Sequence, residues 1–188
     1  MKILLHICCA PCAIYPVESL KILGHQVRGF FFNPNIHPYQ EFARRIATLE
    51  DYAAKTKLPI IWDRSYQLED FLRNIVFREQ ERCRFCYYLR LKATARVAKA
   101  GKFDAFTSTL LYSKFQNHEV IRELGEQVVQ EVGVPFYYLD FRKGWSSGRA
   151  KANKMGLYKQ QYCGCIFSER DRFEPRAQAS QGEGLAKR

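Results

Sequence analysis

Residues 3–12 read Ile3-Leu4-Leu5-His6-Ile7-Cys8-Cys9-Ala10-Pro11-Cys12, an apolar run that ends in three thiols and a proline. A short run of this kind, bounded by a turn former, is the signature of a strand covered on both faces, as a central parallel strand is. In an open parallel sheet, ligands bind beyond the carboxyl ends of the strands, so the three cysteines fall where such a fold does its chemistry. After Cys12, Ala13, Val17, Leu20 and Leu23 recur on one helical face, and Gly24 offers a stop.

The alternation continues downstream. Val27–Phe32 reads as a second strand, followed by the turn-rich Asn33-Pro34-Asn35-Ile36-His37-Pro38. The next helix runs to about Lys55, with Phe42, Ile46, Leu49 and Ala53 inward and Arg44 and Arg45 outward. Pro59–Trp62 is a third strand closed by Asp63, and a broken helical stretch covers 67–77. A long helix opens with Cys83 and Cys86 and extends to about Ala100, with Leu89, Ala93 and Val97 on its inner stripe. Phe103–Thr107 and Val134–Leu139 are the fourth and fifth strands, separated by a helix from about Gln116 to Val132 that Gly133 ends. Strands alternating with helices of this length predict an α/β, Rossmann-like open parallel sheet with right-handed crossovers. Residues 146–157 read as a basic helix. A single domain is expected over residues 1–173, with a disordered tail at 174–188, where no apolar period survives.

The chain carries a formal net charge of +11 over 188 residues, and its placement is uneven. Residues 73–102 hold nine Lys/Arg against two acids, and residues 141–188 eleven against four, while the remainder is slightly acidic. Clustered positive charge beside a candidate reaction site implies a polyanionic partner, with nucleic acid first. The apolar start is interrupted by His6, too short for a signal h-region of at least about seven residues and far from a span of about twenty. A cytoplasmic location without a membrane partner is therefore expected. In a reducing compartment, an odd set of seven cysteines points to metal or redox chemistry rather than to a disulfide framework.

Those seven fall into Cys8/Cys9/Cys12, Cys83/Cys86 and Cys163/Cys165. A lone C-x-x-C pair is compatible with a redox dithiol or half a structural zinc site. Three such groups in one small chain favour thiolate-bound metal, and a place at the carboxyl end of a sheet favours catalytic iron–sulfur over structural zinc. Asn33, Asn35, His37, Asp63 and Thr107–Thr109 follow the other strands and face the same crevice, where Asn33, Asn35, Ser108 and Tyr158 are candidates to bind a polar base and ribose. Tyr87, Tyr88, Tyr112, Tyr158 and Tyr162 interleave with the basic segments, as stacking on an unpaired nucleotide requires. Neither G-x-x-x-x-G-K-[ST] nor G-x-G-x-x-G follows the first strand, so no small-molecule nucleotide cofactor is expected.

With Cys8-Cys9-Ala10-Pro11-Cys12, Phe32-Asn33-Pro34-Asn35-Ile36-His37-Pro38, Cys83-x-x-Cys86 and Tyr158-x-x-Gln161-Tyr162-Cys163-Gly164-Cys165, the chain resembles the QueH family of epoxyqueuosine reductases over residues 1–170. The resemblance implies a fold similar to the nucleotide α-hydrolase (HUP-like) sheets. It also implies reduction of the epoxide of epoxyqueuosine to queuosine at the tRNA wobble position, the last step of queuosine biosynthesis. A [4Fe–4S] cluster and a second, mononuclear iron follow from it, with Cys9, Cys12, Cys83 and Cys86 on the cluster and Cys8, Cys163 and Cys165 on the lone iron. Some members have an aspartate among the cluster ligands, whereas Cys12 keeps all-thiolate ligation open to this chain. The reaction takes electrons singly from an external donor and needs a proton donor, for which His37, Asp63 and Tyr112 are candidates. An open-site iron suits the epoxide oxygen, and an anticodon loop lets its target base be splayed into a pocket. The rival readings are a zinc- or cluster-stabilised RNA-binding module without catalysis, and a thiol oxidoreductase using Cys83 and Cys86.

Overall fold

In the computed structural model, which describes residues 1–175, the apolar start forms strand β1 (Lys2–His6), and every residue from Ile3 to Ile7 is fully buried. It is central, pairing in parallel with β2 (Gln26–Phe31) and with β4 (Ala105–Ser108), so that Leu5 faces Gly29 on one side and Thr107 on the other. A short β3 (Ile60–Trp62) extends the far edge, giving an all-parallel order β3-β2-β1-β4. Parallel neighbours need long crossovers. Here they are α1 (Ala10–Ile22), α2 (Tyr39–Thr56) and, between β3 and β4, α3 (Leu68–Ile75) followed by α4 (Arg82–Ala100). After β4 come α5 (His118–Val132), α6 (Trp145–Lys154) and α7 (Ile166–Phe173). The fold is thus the expected α/β open parallel sheet flanked by helices.

Four local differences follow from identifiable causes. Helix α1 begins at Ala10 with Cys9 as its extended cap, so Cys12 lies in its first turn; Pro11, which has no N–H to lose, is well suited to that position. Residues 134–139 are not a fifth strand: only Phe106 and Phe136 form a bridge, because Pro135 lacks the donor a ladder would use. On α4 the buried stripe is Cys86, Tyr87, Arg90, Leu91, Thr94, Ala95 and Ala98, leaving Leu89, Ala93 and Val97 half-buried at its flank. On α2, Arg45 points inward, 1% exposed, on the same face as Phe42 and Leu49. The apolar count of α2 had placed it outward; a buried ion pair with Glu41 one turn earlier reverses that. Helix α7 was not anticipated. The tail expected from Glu174 onward lies almost wholly outside the described residues. Among the described residues no helix is long and apolar enough to cross a membrane.

Helix α5 packs on α4, and beneath it Phe136 meets Phe106 of β4 at a tilt, with 5.1 Å between ring centroids. A Cβ at Gly125 would clash with the edge of the Phe136 ring. Gly125→Ala is therefore expected to destabilise the protein by about 1–3 kcal/mol despite its better helix propensity, read as a lowered denaturant midpoint.

Candidate metal centre

At the carboxyl end of β1 the chain passes through Cys8 and Cys9 into α1, and this turn brings three sulfurs together. The Sγ atoms of Cys8, Cys9 and Cys12 lie within 4.8 Å of one another, with Cys8 and Cys9 3.7 Å apart. A tetrahedral thiolate-bound ion with metal–sulfur bonds of about 2.3 Å separates its sulfurs by roughly 3.8 Å, so the triad matches one ion. The surroundings aim donors at sulfur. Thr109 accepts the Cys8 N–H at 3.1 Å and points its hydroxyl at Cys8 Sγ, 3.3 Å away; Gln160 Nε2 lies 2.9 Å from Cys9 Sγ and 3.5 Å from Cys12 Sγ. Hydrogen bonds from Cys12 and Cys9 lower the Cys8 thiol, and burial drives Cys9 far upward. Cys12 is also raised, above all by giving its hydrogen bond to Cys8. A cation that replaced the protons would relieve the cost of holding three sulfurs together. The donor set fits a thiolate metal.

The other four cysteines come in two neighbouring pairs. Cys83 and Cys86 occupy the first turn of α4, where the helix N-terminus favours thiolate. Cys163 and Cys165 flank Gly164, whose φ of +131° places it in a region that glycine adopts freely; a Cβ there would also press on Ile36 and Arg45. Cys86 and Cys165 are buried together against Phe71 and Ile75, while Cys83 and Cys163 are exposed. Burial pushes Cys86 up to about 12, with Cys163, Cys165 and Cys83 adding to the shift. Cys83 is likewise raised, first by burial and then by Cys163. Gln116 Nε2 stands 3.9 Å from Cys163 Sγ.

Two buried arginines organise these groups. Arg45 donates from Nε to Glu41 at 2.7 Å, from Nη1 to the Cys163 carbonyl at 2.9 Å and from Nη2 to the Tyr162 carbonyl at 3.0 Å. Glu41 also receives the Tyr158 hydroxyl at 2.6 Å. The 162–163 turn is thereby clamped to α2. Arg90, 1% exposed, gives Nε to the Cys86 carbonyl at 3.2 Å and leaves Nη2 without a partner. Burial opposes its charge, but the field of Cys86, Cys163 and Cys8 outweighs it. A guanidinium buried in the field of cysteines and without a carboxylate partner favours their anionic form.

The remaining sequence candidates are spread around this core. Asn33 donates to the Ile7 carbonyl at 2.9 Å, and its Oδ1 has no partner; Asn35 is fully buried with both amide atoms unpartnered. His37 is buried against Phe71 and Tyr66 with neither ring nitrogen in a well-formed hydrogen bond, and burial lowers its pKa. Ser108 is committed to structure, bonding to His6 Nδ1 at 2.9 Å and capping the 3₁₀ turn Thr109–Tyr112. The Phe32 carbonyl accepts from His6 Nε2 at 3.0 Å, and burial holds His6 down to about 4. Asp63 Oδ1 accepts from the Ser65 backbone at 3.0 Å. Tyr112 donates to the Trp145 carbonyl at 3.1 Å and is raised by burial and by the nearby Cys12 and Cys9. Sequence reasoning passed over Arg45, Arg90, Gln116, Gln160 and Glu41. One signal was present for Arg45: an arginine three residues from Phe42 and four before Leu49, with Glu41 a turn earlier, sits on the buried face with its counter-ion supplied.

The sequence model of the family described as "Epoxyqueuosine reductase QueH" matches residues 3–171. Curated proteins carrying that same name are similar over most of their length. One from Dehalococcoides mccartyi is 36% identical over 172 residues, covering 92% of this chain and 94% of that protein. One from Thermotoga maritima is 29% identical over 192 residues, covering 97% of each. A third, from Acinetobacter baylyi, is 32% identical over 178 residues, covering 90% of this chain and 81% of the other.

Proposed function

The chain belongs to the QueH family of epoxyqueuosine reductases, and on that premise we propose that this oxidoreductase reduces epoxyqueuosine to queuosine at the wobble position of a tRNA anticodon loop. The observation that carries the reading is the sulfur triad of Cys8, Cys9 and Cys12 at the carboxyl end of the central strand, with Thr109 and Gln160 directed at it. Opening the epoxide to the cyclopentene consumes two electrons and two protons and releases the oxygen as water. The seven cysteines would hold a [4Fe–4S] cluster and a second iron, which when bound supply single-electron transfer and a Lewis-acidic position.

The division implied by the resemblance puts Cys9, Cys12, Cys83 and Cys86 on the cluster and Cys8, Cys163 and Cys165 on the iron. The close spacing of the triad favours a second division by place, with Cys8, Cys9 and Cys12 on the single iron and Cys83, Cys86, Cys163 and Cys165 on the cluster.

The chain's own groups then have distinct tasks. Asn33 Oδ1 and the Asn35 amide, buried and uncommitted, bind the polar edge of the base or its ribose, and Tyr158 borders the substrate. Of the proton-donor candidates, Tyr112 stays protonated at neutral pH within reach of the triad's field, His37 has two uncommitted nitrogens, and Asp63 is occupied with Ser65. The basic segments hold the RNA backbone, and an external one-electron donor acts in the cytoplasm on a single catalytic domain of residues 1–173.

The test is to load the protein anaerobically with iron and sulfide, reduce it, incubate it with tRNA bearing epoxyqueuosine, and analyse the nucleosides by mass. Loss of one oxygen from the modified nucleoside is expected. A colourless zinc protein that binds tRNA and converts none would instead establish the non-catalytic RNA-binding module.

A further inference from the structure

The loop between the 3₁₀ turn and α5 carries an exposed aromatic ring at the edge of the cysteine site. Phe115 is 84% exposed and meets Trp145 edge-on, with ring centroids 5.9 Å apart at 79°. Trp145 continues inward onto Tyr112 at 5.2 Å, and Tyr112 lies in the field of Cys12 and Cys9. The next residue in the loop, Gln116, reaches Cys163 Sγ at 3.9 Å and accepts the Tyr87 hydroxyl at 2.7 Å, which ties the loop to the site. Two cations flank the indole: Lys114 Nζ at 6.0 Å and the Arg149 guanidinium carbon at 5.8 Å from its centroid. Among the described residues neither cation has a carboxylate within ion-pair distance, unlike Arg84, Arg122 and Arg142 nearby in sequence.

Phe115 offers an exposed aromatic face, and the Trp145 ring beside it carries two cations with no carboxylate partner, so the pair of rings fits a flat group that carries its own negative charge. We propose that Lys114, Phe115, Trp145 and Arg149 form a clamp for an unpaired RNA nucleotide next to the one being reduced, its base stacked on Phe115 and its phosphate held by the two cations. This rests on the reductase reading and adds to it the surface that grips the loop. The aromatic face tolerates any base, because every base has a π-face, so the clamp selects for single-strandedness rather than sequence. An acidic protein, such as an electron donor, would need the charge but not the ring.

The experiment measures binding of the metal-loaded chain to an RNA stem–loop with an unpaired loop, and to the same strand annealed to its complement, by fluorescence anisotropy over a salt series. In a Trp62→Phe background the remaining tryptophan, Trp145, reports stacking directly through quenching. Phe115→Ala is expected to weaken stem–loop binding by roughly 5- to 150-fold, the loss of one base–aromatic stack, while Phe115→Trp retains it. Lys114→Gln with Arg149→Gln is expected to flatten the salt dependence by about two phosphate contacts. Phe115 is exposed, so the variant should melt with the parent. If the parent reduces its tRNA substrate but Phe115→Ala binds the stem–loop as tightly as the parent, the clamp is refuted and the reductase reading stands. If Phe115→Ala binds normally but the double cation variant loses affinity, only charge is being read and the stacking role is wrong. If the parent neither reduces substrate nor binds RNA, both readings fall.

Discussion

Cys163→Ser is expected to cost the protein its iron–sulfur cluster, with loss of the visible absorption and of labile sulfide, while Cys8→Ser leaves the cluster and removes a single iron. Both variants should lose reductase turnover. The expectation rests on place: Cys163 shares its surroundings with Cys83, Cys86 and Cys165, whereas Cys8 lies 3.7 Å from Cys9 and within 4.8 Å of Cys12. A serine oxygen is a poorer partner than thiolate for soft metals, so the affected centre should be lost rather than weakened. The reverse pattern, a cluster that survives Cys163→Ser and one iron lost with it, would restore the division implied by the resemblance, with Cys8, Cys163 and Cys165 on the single iron. Iron and sulfide analysis on anaerobically reconstituted protein separates the two.

Arg45→Met is expected to destabilise the fold by about 3–5 kcal/mol, because it strands a buried carboxylate. Glu41 would keep only the Tyr158 hydroxyl, and the carbonyls of Tyr162 and Cys163 would lose both donors that clamp them to α2. Arg45→Lys keeps the charge but not the fork that serves three acceptors at once, so an intermediate loss is expected. Glu41→Gln combined with Arg45→Met should recover part of the difference, since no charge is then left buried alone. Urea unfolding of the metal-free chain gives the stability effect, and iron content after reconstitution gives the effect on the Cys163 turn. A metal-free Arg45→Met with the parent's unfolding midpoint would show that the ion pair contributes nothing net.

The sheet was legible because burial on both faces leaves an unmistakable record. The run from Ile3 to Ile7 could be little other than a covered strand, and the same run delivered Cys8, Cys9 and Cys12 to the end of the sheet where ligands bind. The spacing of Cys83 from Cys86 and of Cys163 from Cys165 made thiolate metal chemistry legible without any coordinates, because a few residues of chain suffice to bring two sulfurs to one centre. The family followed from several motifs in fixed order.

Which cysteine neighbours which was a different matter. Cys86 and Cys165 are buried together only because α3, α4 and the turn before α7 pack around Phe71 and Ile75, and no local pattern encodes a contact across nearly eighty residues of chain. Arg45 and Arg90 were missed for the same reason: charged residues on a helix read as solvated until the structure shows what faces them, here Glu41 and two carbonyls for one and the Cys86 carbonyl for the other. The strand expected at 134–139 failed because propensity does not count donors, and Pro135 has none to give. By itself the sequence determined the parallel sheet, the end of it that carries chemistry, and the element that chemistry uses. Only the tertiary structure decided that Cys8, Cys9 and Cys12 bring their sulfurs together and that Arg45 and Arg90 are buried beside the cysteine segments, since ion pairing and burial depend on distances that only the packed chain defines.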